Sequence, residues 1–204
     1  MLHKSEHISV KMVQNVFRAF DYAKTVGVPL NVTIVLHLHE TDAQAASTIF
    51  KRIRHKYRDW LIYACKAAGN VRLPPMYVYS FEAPNNPHVN WALYVPPALL
   101  AEFLQKLPGW ATKVQGSLGP FDINVERIDM TGYKSLANYM VKGCDPAFID
   151  HFHLRSLYNT HGPQGEFYGQ RAGVSPSFNK TARKTAGYDA KRRRILAGFA
   201  PLAA

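Results

Sequence analysis

Three observations point to an α+β domain built on a mainly antiparallel sheet. Short runs rich in β-branched residues, or alternating in polarity, recur along the 204-residue chain. Longer runs with apolar residues at helical spacing separate them. Their order is strand, helix, hairpin, helix, strand, helix, which suits an antiparallel sheet with flanking helices better than a doubly wound parallel one.

Residues 10–27 carry Val13, Val16, Phe17 and Phe20 at helical spacing and end at Gly27, a common helix stop. Residues 30–39, LNVTIVLHLH, read as the first strand of the sheet. Thr41 or Asp42 suits the cap of a following helix that runs to about Lys66. Its basic residues Lys51, Arg52, Arg54, Lys56 and Arg58 spread around the helix rather than along one face. Residues 76–82 (MYVYSFE) and 88–95 (HVNWALYV) are two strands joined by the turn-forming string APNNP, hence a hairpin. Pro96 and Pro97 open a helix over ALLAEFLQKL. Residues 121–128, FDINVERI, form a fourth strand, and YKSLANYMVK a helix over 133–142 that stops at Gly143. From about Pro163 the chain turns rich in Gly, Ser, Lys and Arg, although EFYGQRAG over 166–173, with Tyr168 and Arg171, suits a further short strand. A domain over 1–162, with its core at about 30–143, is therefore expected to precede a basic extension over 163–204.

Bulk properties narrow the partners. Lysine and arginine number 25 against 14 acids, a net charge of +11, which favours a polyanion and above all nucleic acid. No apolar run reaches membrane-spanning length, no basic amphipathic helix suits a membrane surface, and the N-terminus lacks a secretory pattern. Cys65 and Cys144 build neither a disulfide framework nor a zinc site, as expected of a cytoplasmic protein.

The chemistry-bearing residues fall in two places. Glu82 ends one hairpin strand, and His88-Val89-Asn90 opens the next. Residues two apart on a strand share a face, so His88 and Asn90 point together and the hairpin brings Glu82 to them. One carboxylate, one imidazole and one amide oxygen make an open site for Mg²⁺ or Mn²⁺. The second place is Tyr139-Met140-Val141-Lys142, where helical spacing lets Tyr139 and Lys142 approach one phosphate. A phenol becomes a useful nucleophile when a cation favours its phenolate, and a lysine can offset charge developing on phosphate oxygens.

An acid, a turn, PHVNWALYVP and a later helical YxxK together resemble the HUH endonuclease superfamily, which includes rolling-circle replication initiators, relaxases and single-strand transposases. The resemblance covers roughly residues 30–143. It implies a five-stranded antiparallel sheet with the active site on an exposed face. Tyr139 would be the nucleophile, Lys142 its phosphate-positioning partner, and Glu82, His88 and Asn90 the metal ligands. It further implies nicking of single-stranded DNA, at an origin hairpin, with a 5′-phosphotyrosine intermediate and a free 3′-hydroxyl. The setting would be replication of a plasmid, phage or mobile element in a bacterial cytoplasm. The chain departs from the motif at Asn90, where the family has a second histidine. A DNA- or RNA-binding module of the same fold that does not cut is the alternative, and an RNA- or ribosome-associated protein on an unrelated α+β sheet is a third.

Other residues extend the reading. His37-Leu38-His39, followed by Glu40, is a rival His-hydrophobic-His metal motif, ranked below the hairpin because it lies on the first strand without a preceding acid; one of its histidines would add a ligand if the first strand lay beside the third. Tyr94 shares the His88 face by alternation and suits stacking on a base, whereas Trp91 belongs to the core. Lys180, Arg183, Lys184 and the run Lys191, Arg192, Arg193, Arg194 suit sequence-independent phosphate contacts. No GxxxxGK string occurs, so unwinding would fall to a separate host helicase.

Overall fold

Strand alternation sorts the sheet into two apolar faces, each covered by helices. The computed structural model describes residues 4–39, 43–69, 73–83, 87–129 and 131–188. In chain order the elements are β1 (Lys4–Ser5), α1 (Val10–Thr25), β2 (Val32–His37), α2 (Ala43–Ala67), β3 (Tyr77–Glu82) and β4 (His88–Leu93). They continue with α3 (Leu100–Gln115), β5 (Ile123–Arg127), α4 (Tyr133–Tyr139), α5 (Arg155–His161), β6 (Phe167–Tyr168), β7 (Ala172–Val174) and α6 (Lys180–Thr185). The main sheet has the order β5-β2-β4-β3-β7 with every pairing antiparallel. The expected α+β architecture with a five-stranded antiparallel sheet is therefore what the chain forms. Among the described residues, no helix is long and apolar enough to cross a membrane.

One face carries Ile34, Leu36, Tyr79, Phe81, Val89 and Trp91, packed under Phe50, Ile53 and Tyr57 of α2 and Phe103 and Leu107 of α3. Trp91 has no exposed surface and meets the rings of Phe50 and Tyr57 edge to face, as its core assignment requires. The other face carries Val78, Ala92 and Ala172 under Val13, Val16 and Phe20 of α1 and Tyr133 and Ala137 of α4. Glu82, His88 and Asn90 lie on this second face, because they alternate with Phe81 and Val89.

Three boundaries differ from expectation. The helix after Pro97 was expected to end before Pro108, yet α3 runs through it to Gln115. Its buried stripe continues from Leu107 to Ala111, so packing outweighs the ~3 kcal/mol that an interior proline costs. The YxxK helix ends at Tyr139, and Lys142 N–H donates to the Tyr139 carbonyl at 3.2 Å in a tightened turn beyond it. Third, the segment after Pro163 is core, not extension, up to Phe178. Strand β7 is the fifth strand of the main sheet, and β6 pairs with β1. Phe167 stacks on Phe81 with ring centroids 4.5 Å apart, and Phe178 is buried. Its Gly, Ser and Arg content reflects tight packing: a Cβ on Gly173 would stand 2.7 Å from the Tyr79 ring. Glu40 of the rival motif, the expected helix cap at Thr41 or Asp42, the turn residues Pro84, Asn85 and Asn86, and the basic run 191–194 lie outside the described residues.

Candidate active site

The hairpin register sets the first half of the site. Glu82 and His88 are direct cross-strand partners, and Asn90 lies opposite Ser80 one step along the same face. Neighbouring side chains on one face of an antiparallel pair are close enough to bond. His88 Nε2 stands 3.2 Å from Glu82 Oε2, and Asn90 Nδ2 donates to Glu82 Oε1.

The second half arrives from α4. The Tyr133 hydroxyl donates to the Phe20 carbonyl at 3.0 Å and accepts from Leu30 N–H at 3.3 Å, which fixes the start of the helix to α1 and the approach to β2. Past the helix end the chain is held by Ile8, whose N–H donates to the Gly143 carbonyl at 2.8 Å. Gly143 leaves room for Gln164, which a Cβ there would meet at 3.2 Å. Between these anchors Lys142 turns inward. Its ammonium lies 2.9 Å from Glu82 Oε1 and 3.6 Å from the Tyr139 ring centroid. Tyr139 is half-buried and meets His161 of α5 edge to face at 5.5 Å. Lys142 therefore links the tyrosine to the hairpin cluster.

The site is more enclosed than the exposed face that the resemblance implies. Glu82 is 5% exposed, Asn90 2% and Lys142 4%, so His88 and Tyr139 are its accessible members. Burial pushes the Glu82 carboxyl up, but the His88 hydrogen bond and the Lys142 ammonium outweigh it. The net effect holds Glu82 below the usual carboxylate range. Burial and the neighbouring His88 push the His37 imidazole down. A second buried cation, Arg171, donates to the carbonyls of Gln164, Ser5 and Gly165 on the other side of β3. Its field reaches Glu82, although burial lowers its own affinity for the proton.

The donor types suit a hard divalent cation. Two ligands held at right angles to a small cation stand about 3 Å apart, which the Glu82–His88 separation matches. Among the described residues, no group of three His, Cys, Asp or Glu side chains is arranged to hold a metal, so the third donor would have to be the Asn90 amide oxygen. That requires the amide to turn and the ion to share Glu82 with Lys142, which already neutralises it. Bound there, Mg²⁺ or Mn²⁺ would polarise a phosphate as a Lewis acid.

Of the other expected residues, His37 joins the site and the rest of those described lie apart from it. His37 lies opposite His88 in the register, on the site face, with ring centroids 5.2 Å apart. His39 instead bonds Asp122 Oδ2 through Nε2 at 2.5 Å. Tyr94 shares the face but lies six residues along the strand, roughly 20 Å from His88, and packs against the α1 core. Arg183 does not offer itself to phosphate: it is buried and donates to the Phe178 carbonyl and Asn15 Oδ1, tying α6 to α1. Lys180 and Lys184 on the same helix are exposed. Sequence reasoning assigned no part to Gln164, Arg171 or His161. The density of glycine, glutamine and arginine in one strand-like stretch was the available signal for the first two. No protein-family model matches this chain, and no curated protein matches it either.

Proposed function

We propose that this protein nicks and rejoins single-stranded DNA through Tyr139, in the manner of the HUH endonucleases it resembles, to initiate rolling-circle replication of a plasmid, phage or mobile element. One observation carries the reading: the Lys142 ammonium touches both the Tyr139 ring and the Glu82 carboxylate of the Glu82–His88–Asn90 cluster. Tyr139 Oη attacks the scissile phosphorus, a phosphotyrosine bond forms and the bond to the 3′-oxygen breaks. The phenol gives up a proton and the leaving 3′-oxygen gains one, so the step is a transesterification that the freed 3′-hydroxyl reverses. Lys142 supports the charge that builds on the phosphate oxygens. Glu82, His88 and Asn90 are the residues that would hold Mg²⁺ or Mn²⁺. The partner would be an origin hairpin in a bacterial cytoplasm, unwound by a separate helicase.

The test is incubation with single-stranded oligonucleotides carrying candidate origin sequences and Mn²⁺, followed by a denaturing gel. The expected result is a covalent protein–DNA adduct that Tyr139→Phe abolishes. An adduct that survives this substitution would overturn the assignment of the nucleophile. Tight binding without an adduct on any cognate origin supports the second reading, a module that binds without cutting. The Asn90 amide in the place of a second imidazole favours that alternative, as does the ammonium already seated on Glu82.

A further inference from the structure

Beside the candidate active site, at the same end of the sheet, lies an open cavity of about 420 Å³ lined by His37, Leu38, His39, Phe121 and Asp122. We propose that it is a nucleobase subsite, in which the Phe121 ring stacks on a base of the single strand next to the reacting phosphate. The choice of single-stranded nucleic acid as occupant rests on the function proposed above.

Three features support this. Phe121 is 85% exposed, the most exposed of the large apolar side chains among the described residues. It is not loosely hung, because the Asp122 carbonyl accepts from His37 N–H at 2.8 Å and extends the β2–β5 pairing to its neighbour. Its ring therefore lines the open cavity from a fixed stretch of backbone. The cavity also borders the active site: His37 lines it, and the His37 ring is 5.2 Å from that of His88. Hydrogen-bonding groups stand beside the Phe121 ring in its lining, from His37, His39 and Asp122. Asp122 accepts from Gly119 N–H and from His39, contacts that fix its carboxylate in place and hold its pKa below the usual range. A flat ring beside hydrogen-bonding groups, within a chain of net charge +11, suits a base: every base has a face to stack and an edge to bond.

The test reads equilibrium binding of fluorescent oligothymidylate in a Tyr139→Phe background, so that no cleavage is needed. Phe121→Ala is expected to weaken binding roughly 5- to 150-fold, the equivalent of ~1–3 kcal/mol for one stacked base. Phe121→Trp should restore it, and replacing the stacked nucleotide with an abasic one should erase the difference between Phe121 and alanine. Thermal stability should not change, since the ring buries little. Tyr63→Ala, which removes an exposed ring on α2, is the control expected to bind normally. Undiminished binding by Phe121→Ala overturns the subsite, as does failure of the parent protein to bind oligothymidylate. If wild-type protein forms no adduct but the Phe121 effect persists, the nickase reading fails and the subsite stands.

Discussion

Lys142 is the residue on which the site turns. A lysine buried to 4% exposure is tolerated because a carboxylate and an aromatic face both meet it. Lys142→Met removes the ammonium from the buried Glu82 and leaves the carboxylate to its His88 and Asn90 hydrogen bonds, and should lower the unfolding free energy by roughly 3 kcal/mol, the low end for a broken buried pair, read from urea denaturation. The same substitution frees the carboxylate for a divalent ion. Mn²⁺ should therefore raise the melting temperature of Lys142→Met more than that of wild type. Equal shifts would mean that ammonium and metal do not compete for Glu82. The pairing of tyrosine and lysine was legible from their spacing and that of Glu82 and His88 from the hairpin. The ion pair joining the halves was not, because it depends on how the chain turns after Tyr139, and no local pattern encodes that turn.

Two elements place these residues, and each can be tested. Helix α4 is fixed by the buried hydroxyl of Tyr133, whose pKa burial pushes up to about 12. A tyrosine whose folded pKa is raised contributes stability that is complete below its unfolded value of about 10 and is lost as pH rises through the folded value. Tyr133→Phe should remove both hydrogen bonds of this hydroxyl, leaving the buried Leu30 N–H without its acceptor, at a cost of about 1–3 kcal/mol near neutral pH. It should also flatten the part of the stability decline between pH 10 and 12 that belongs to this group, measured by denaturation at a series of pH values. Strand β7 depends on Gly173, which lies flat against Tyr79. Gly173→Ala should displace the ring and destabilise the protein by roughly 1–3 kcal/mol, visible as a lower melting temperature. The four strands read from the sequence all appear within a few residues of expectation, because alternation and turn chemistry are local. Residues 166–173 suited a further short strand, but the place of β7 as the fifth strand was not legible, because it has three residues and takes its identity from the edge of β3. The continuation of α3 past Pro108 escaped for a similar reason, since its buried stripe is a tertiary fact.

Across the whole molecule, the second apolar face was foreseeable only in outline. Alternation told which hairpin residues share a side, but not that α1 and α4 would cover it and enclose Glu82. The closing of the sheet by residues 164–174 has a temporal consequence. A chain emerging from the ribosome presents Glu82, His88, Asn90, Tyr139 and Lys142 well before the segment that caps β3 and ties down Ser5 has been made. Until then β3 offers a row of unpaired amide and carbonyl groups to any passing strand. A fragment cut at residue 162 would be arrested at that stage, carrying every proposed reacting group yet prone to self-association along an open flank.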